Sequence, residues 1–227
     1  MKTFQQIREG VYDPHIFKAV FLAGGPGSGK SFVAGRALGG LGLKVINSDD
    51  PFERYLTRAG LSMKMPDEEQ SQRDVERARA KKVTKSRQSH AVDGRLGIII
   101  DGTGKDYDKI TRQAALLQDL GYECSMVFVN TSLETALARN QKRARSVPPT
   151  LVKKGWNDVQ SNFDRFARFF NKRFFVAQNN DAQEQDLVSI TKSIRRAIRK
   201  PTKNSTAQAW INNELMKKKE ASLKNMS

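Results

Sequence analysis

The sequence predicts an α/β fold, a parallel sheet flanked by helices, and three observations predict it. Short apolar runs at 19–23, 43–46, 96–101 and 124–129 alternate with longer stretches of helical composition, the pattern of strands joined by crossover helices. The first run leads straight into the glycine-rich stretch GGPGSGKS at 24–31, with a helix-compatible segment behind it. Leu96-Gly97-Ile98-Ile99-Ile100 is continuously apolar, as a strand buried on both faces must be.

Taken in order, residues 1–18 read as an irregular or short helical lead-in that ends at the turn-prone pair Asp13-Pro14. Strand 19–23, the glycine-rich loop, a helix to about 39, a turn at Gly39-Gly40-Leu41-Gly42 and strand 43–46 make a right-handed βαβ unit. A polar helical segment at 66–90 precedes strand 96–101. A helix over 108–120 ends at Gly121, and 124–129 is the next strand. Thr131-Ser132-Leu133-Glu134 has the pattern of a capping box and opens a helix to about 143. After Pro148-Pro149, one helix over 150–170 carries Trp156, Phe163, Phe166 and Phe170 at helical spacing, a stripe read as core packing. Residues 174–177 form a last strand. Leu187, Ile190, Ile194 and Ile198 share one face of a further helix, opposite Lys192, Arg195, Arg196 and Arg199. The expected division is a domain over 1–200 and a basic polar C-terminal tail over 201–227.

The chain of 227 residues carries a formal charge of +16. Residues 1–130 hold 20 basic and 16 acidic groups, whereas 131–227 hold 20 and 8. A field of this sign favours a polyanionic partner, nucleic acid being the commonest. Cys124 is the single cysteine, so no intrachain disulfide forms, and His15 and His90 are too few to build a zinc site with it. No apolar run is long enough to span a bilayer and no cleavable leader is read, so the expected location is the cytoplasm.

The stretch from Gly24 to Ser31 fits G-x-x-x-x-G-K-S between a strand and a helix, the context that gives this motif its meaning. Gly25, Pro26, Gly27, Ser28, Gly29, Lys30 and Ser31 are expected to surround phosphates, all but the proline through backbone N–H groups, with the helix dipole behind them. Lys30 then reaches the β and γ phosphates and Ser31 holds Mg²⁺. The alternative is a plain Gly/Pro-rich turn. ATP is expected in preference to GTP, since no N-K-x-D signature follows a later strand. Asn47-Ser48-Asp49-Asp50 closes the second strand at the edge where open parallel sheets bind ligands. One of the two carboxylates, Asp49 or Asp50, is in place to accept a hydroxyl proton; the other, or Ser48, is left to cap the following helix. Asp101 ends the triple-isoleucine strand at the same edge, a position for a Mg²⁺-associated carboxylate, and Thr103 stands beside it to bond substrate or metal-bound water. Arg139 and Arg143, four residues apart, with Arg145, form an expected arginine lid that offsets charge on the transferring group.

The loop at 24–31 together with Asn47-Ser48-Asp49-Asp50, Asp101-Gly102-Thr103, Arg139-Asn140, Arg143 and Val147-Pro148 resembles P-loop kinases: phage polynucleotide kinases, zeta-toxin-like kinases and phage kinases that phosphorylate 5-hydroxymethyluracil in DNA. The resemblance covers roughly 19–170. It implies a P-loop NTPase fold of the nucleoside and polynucleotide kinase type, ATP and Mg²⁺ as cofactors, Asp49 as general base, Lys30 and Ser31 on phosphates and metal, and Arg139 and Arg143 as lid arginines. Polynucleotide kinases usually show an arginine soon after the paired aspartates, whereas here Pro51-Phe52-Glu53 intervene before Arg54. No D-x-D-x-T phosphatase pattern follows.

In kinases of this layout the segment after the second strand lines the acceptor site. Arg73, Arg77, Lys81 and Lys85 fall there at four-residue spacing, a stripe able to lie along a nucleic-acid backbone or simply to face solvent. The stripe and the basic second half favour DNA as acceptor, first the hydroxymethyl group of modified uracil and then a 5′-hydroxyl end. A zeta-toxin-like kinase would act on a small nucleotide sugar and needs no such charge. A non-catalytic ATP-binding DNA accessory protein is the reading from another class, and Asp101-Gly102 lacks the second acid that motors usually carry there.

Overall fold

Strands β1 (Lys18–Ala23), β2 (Lys44–Ile46), β3 (Ile98–Asp101), β4 (Glu123–Asn130) and β5 (Phe174–Gln178) pair in parallel in the order β2-β3-β1-β4-β5. This is seen in the computed structural model, which describes residues 10–142, 147–180 and 184–224. β1 is central because all six of its residues are buried: Ala19 to Ala23 are apolar, and Lys18 is paired with Glu123 of β4. The registers Leu22 to Asp101 and Ala23 to Phe128 bring the ends of β1, β3 and β4 level. All C-terminal strand ends therefore open onto one edge.

Side chains alternate across the sheet and feed two cores. Phe21, Ile98, Met126 and Phe128 face one way, with Ala114 and Leu117 of helix α4 (Tyr107–Asp119) and Phe166 and Phe170 of α7 (Phe163–Phe170). Val20, Leu22, Ile99 and Val127 face the other, with Val33 and Ala37 of α1 (Lys30–Leu38) and Ile194 and Ile198 of α8 (Glu184–Arg199). Helices α2 (Asp49–Arg58) and α3 (Gln70–Asp93) form a hairpin over the β2 end with their own small core of Phe52, Leu56 and Ala80. Helices α5 (Leu133–Gln141) and α6 (Pro149–Gln160) pack together beyond β4. Among the described residues no helix is long and apolar enough to cross a membrane.

Three local expectations change. The single helix over 150–170 is two, α6 and α7, parted at Asn162, whose side-chain amide donates to the carbonyls of Gly104 (3.1 Å) and Lys105 (3.0 Å) as well as to Asp158 O of α6 (3.1 Å). The capping box does not form as spaced: Ser132 is the N-cap of α5, its hydroxyl accepting from Thr135 N, while Thr131 turns its hydroxyl inward to Ser28 O. Residues Ser205–Lys224, read as polar tail, form helix α9. Ala207 is fully buried, and Trp210 meets Phe17 edge to face at 5.4 Å between ring centroids. Trp210→Ala is expected to destabilise the fold by about 2–3 kcal/mol, below the range for a fully enclosed aromatic, and a thermal or denaturant melt reads it.

Candidate active site

The glycine-rich loop leaves β1 with Gly24 N bonded to Thr103 O at 2.8 Å, which joins the ends of β1 and β3. Glycine is required where the loop is most crowded. A Cβ on Gly27 would stand 2.2 Å from Ala136 O, and Gly29, at φ 79°, abuts the Asn179 amide. Gly29 is the N-cap of α1 and supplies no side-chain cap. The first N–H groups of α1 are thereby left for an outside acceptor, and an anion is the natural one.

The loop is held from behind by residues far away in the chain. Ser28 O accepts from Asn179 Nδ2 at 2.7 Å and from Thr131 Oγ1 at 3.1 Å, and Trp156 Nε1 donates to Thr131 O at 2.7 Å. The Ser28 hydroxyl is buried with no partner among the described residues. Lys30 Nζ lies back on Gly24 O at 2.8 Å, where it stays over the loop and away from the core.

One cleft of about 630 Å³ gathers the residues of this edge. Gly25, Pro26, Gly27, Ser28, Gly29, Lys30 and Ser31 line it along the loop, Asn47, Ser48, Asp49 and Asp50 from β2 into α2, and Asp101, Gly102 and Thr103 from the end of β3, with Phe32, Glu53 and Arg139 at its margin. Burial lifts the Asp101 carboxyl above the usual carboxylate range; the Lys30 ammonium opposes the lift, and the charges of Asp49 and Asp50 add to it. Asn47 ties the parts together. Its amide nitrogen donates to Asp101 Oδ2 at 2.8 Å and its amide oxygen accepts from Asp49 N at 2.7 Å. Ser48 makes no side-chain cap, so Asn47 opens α2 in its place, with Asp49 and Asp50 in the favourable first turn.

Every described residue expected at the phosphates, the metal or the acceptor hydroxyl therefore meets in this cleft. Arg139 lines it, its guanidinium held at 2.6 Å by Asn179 O and also by Asn180 O. Arg143 and Arg145 lie outside the described residues. The α3 stripe stands apart from the cleft. Arg73 donates to Pro66 O, Arg77 stacks 4.2 Å over the Phe52 ring, and Lys81 and Lys85 are exposed. The sequence offered no signal for the bracing by Asn179, Thr131 and Trp156, nor for the two bonds of Asn47.

The model of the family described as AAA domain matches residues 20–166, from β1 into α7. No curated protein matches the chain. Among solved structures, a chain of the AvrRxo1-ORF1:AvrRxo1-ORF2 complex with sulphate ions aligns at a TM-score of 0.55 and 15% identity over 71% of this chain and 54% of that one. The present chain thus spans about half the length of that neighbour. A "putative kinase" from Chloroflexus aurantiacus aligns at 0.55 and 15% identity over 79% of this chain and 97% of that one. A chain of the Pnkp1/Rnl/Hen1 RNA repair complex aligns at 0.50 and 21% identity over 66% and 46%. Together with the family match and the parallel sheet, these likenesses establish a P-loop kinase-like fold.

Proposed function

We propose that this chain, which belongs to the AAA domain family, is an ATP-dependent phosphotransferase that moves the γ-phosphoryl group onto a hydroxyl of nucleic acid, the 5-hydroxymethyl group of hydroxymethyluracil in DNA before others. The observation that carries the reading is the single cleft in which the glycine-rich loop and Lys30 face Asp49, Asp50, Asp101 and Arg139. Phosphoryl transfer needs positive donors over the phosphates, a base at the acceptor and a carboxylate for a metal. The cleft contains one of each.

In this reading the N–H groups of the loop and the start of α1 bind the β and γ phosphates, and Lys30 leaves Gly24 O to join them. Asp49 takes the proton of the acceptor hydroxyl as its oxygen bonds to the γ phosphorus and the bond from that phosphorus to the bridging oxygen of ADP breaks. Arg139 lies at the margin to offset charge on the transferring group. Ser31 and Asp101 offer hard oxygen donors suited to Mg²⁺. Such a cation would take its other ligands from phosphates and water. When bound, that ion would offset phosphate charge.

The acceptor reading draws on the charge of +16, which attracts polyanions, and the hydroxymethyl group on the sequence resemblance. A base modified within a duplex must first leave the stack. The test is to supply γ-labelled ATP and Mg²⁺ with hydroxymethyluracil DNA, a 5′-hydroxyl oligonucleotide and a nucleotide sugar in parallel. Label on the modified base is the expected result. Label at the strand end transfers the assignment to polynucleotide kinase, label confined to the sugar makes the protein a small-molecule kinase, and label on none of them overturns the proposal.

A further inference from the structure

Helix α2 has three chemically distinct faces. Asp49, Asp50 and Glu53 line the phosphate cleft, and Phe52 and Leu56 are buried against Ala80. The third face, Pro51, Arg54, Tyr55 and Arg58, lines a separate cleft of about 210 Å³ that Val83 and Arg87 of α3 close from the other side. With about 3.6 residues per turn, positions 51, 54, 55 and 58 fall on one stripe, away from 49, 50 and 53. The two clefts share no residue.

Three guanidinium groups thus line one small hollow. Among the described residues none of them makes an ion pair; Arg54 Nε donates to Asp50 O at 3.4 Å, a bond that leaves its charge uncompensated. Like charges gathered in a cleft without an acid raise the local potential and are relieved by an anion, and planar guanidinium forks suit phosphate oxygens. Arg87 also lines the adjoining hollow of about 410 Å³ at the β2 edge, beside Lys44, Ile46 and the exposed Val45. An apolar surface therefore continues directly from the basic one.

We propose that the cleft of Arg54, Arg58 and Arg87 binds a backbone phosphate of a single nucleic-acid strand, with the neighbouring base lying toward Val45. This rests on the nucleic-acid acceptor proposed above. The cleft serves the acceptor and not ATP, because the opposite face of α2 meets the phosphate loop. From Asp49 to Arg58 the helix rises about 14 Å, so the arginines hold the strand at a short distance from the nucleotide that reacts.

Anisotropy of a labelled single-stranded oligonucleotide, titrated with the full chain at several salt concentrations, tests it. Arg58→Ala with Arg87→Ala is expected to weaken binding about tenfold or more, equally for all sequences, and to lower the salt slope by about 0.7 for each phosphate no longer neutralised. The Arg58→Lys, Arg87→Lys variant keeps the charge and is expected to fall between, which separates a missing guanidinium from a misfolded chain. Unchanged affinity and slope in the alanine variant, or no strand binding by the unaltered protein, overturns the proposal. Labelled-ATP transfer on the same oligonucleotide separates the two readings. Strand binding that fails in the variant while the unaltered protein labels no nucleic acid leaves the cleft standing without the kinase reading; labelling with strand binding intact in the variant does the reverse.

Discussion

Replacing Lys30 with alanine is expected to reduce phosphoryl transfer about 10²–10³-fold, the loss that follows removal of one preorganised donor to developing charge, with little change in melting temperature. Lys30 is the first residue of α1 and its ammonium bonds Gly24 O in the open cleft. Removing it therefore leaves no cavity in either core. The substitution also acts on the carboxylates opposite. Lys30 opposes the upward shift of Asp101, which burial and the charges of Asp49 and Asp50 impose. Without that cation the folded-state pKa of Asp101 rises further, so ionised Asp101 is lost at higher pH as acid is added. The acid limb of residual activity is then expected to move upward. Labelled-ATP transfer across pH, beside a thermal melt, measures both effects, and full turnover in a folded variant defeats the phosphotransferase reading.

The parts of this site that could be read from sequence are those fixed by neighbours in the chain. GGPGSGKS stands between an apolar strand and a helix, and its shape follows from local backbone chemistry. Asp49, Asp50 and Asp101 follow strands, and a parallel sheet brings every such strand end to one edge whatever the strand order. The order β2-β3-β1-β4-β5 is another matter, because it depends on which apolar runs bury both faces in three dimensions. Residues acting at long range were hidden for the same reason. The bond from Asn179 to Ser28 O spans 151 positions, and nothing near Asn179 announces a partner on the phosphate loop. The arginine cleft draws on two helices, so the regular stripe on α3 points instead to Arg73 and Arg77, which are engaged with Pro66 and Phe52. In 205–224 a polar composition concealed the small apolar face of Ala207, Trp210 and Ile211 that docks on the first core.

Asp49→Asn is expected to lower kcat about 10²-fold or more, the usual contribution of a general base, while leaving ATP affinity nearly unchanged. Asparagine keeps the size of the side chain and its place in the first turn of α2. Loss of one carboxylate near the helix dipole costs about 0.3–1 kcal/mol of stability, too little to unfold the domain. Between the paired aspartates we place the base at the first. Asn47 fixes Asp49 N at 2.7 Å with one end of its amide and Asp101 Oδ2 at 2.8 Å with the other. The backbone of Asp49 is thereby tied to the strand end that carries Asp101. Among the described residues Asp50 has no such tether, and its carbonyl receives Arg54 from the basic face of the helix. Asp50→Asn should accordingly raise KM for the nucleic-acid acceptor more than it lowers kcat. Asn47→Ala should copy part of the Asp49 defect by releasing that residue from β3, although Asn47 itself moves no proton. Steady-state kinetics on the three variants with one acceptor distinguish these roles: a kcat loss confined to Asp50→Asn reverses the pair, and equal small losses in all three remove the base from α2 altogether.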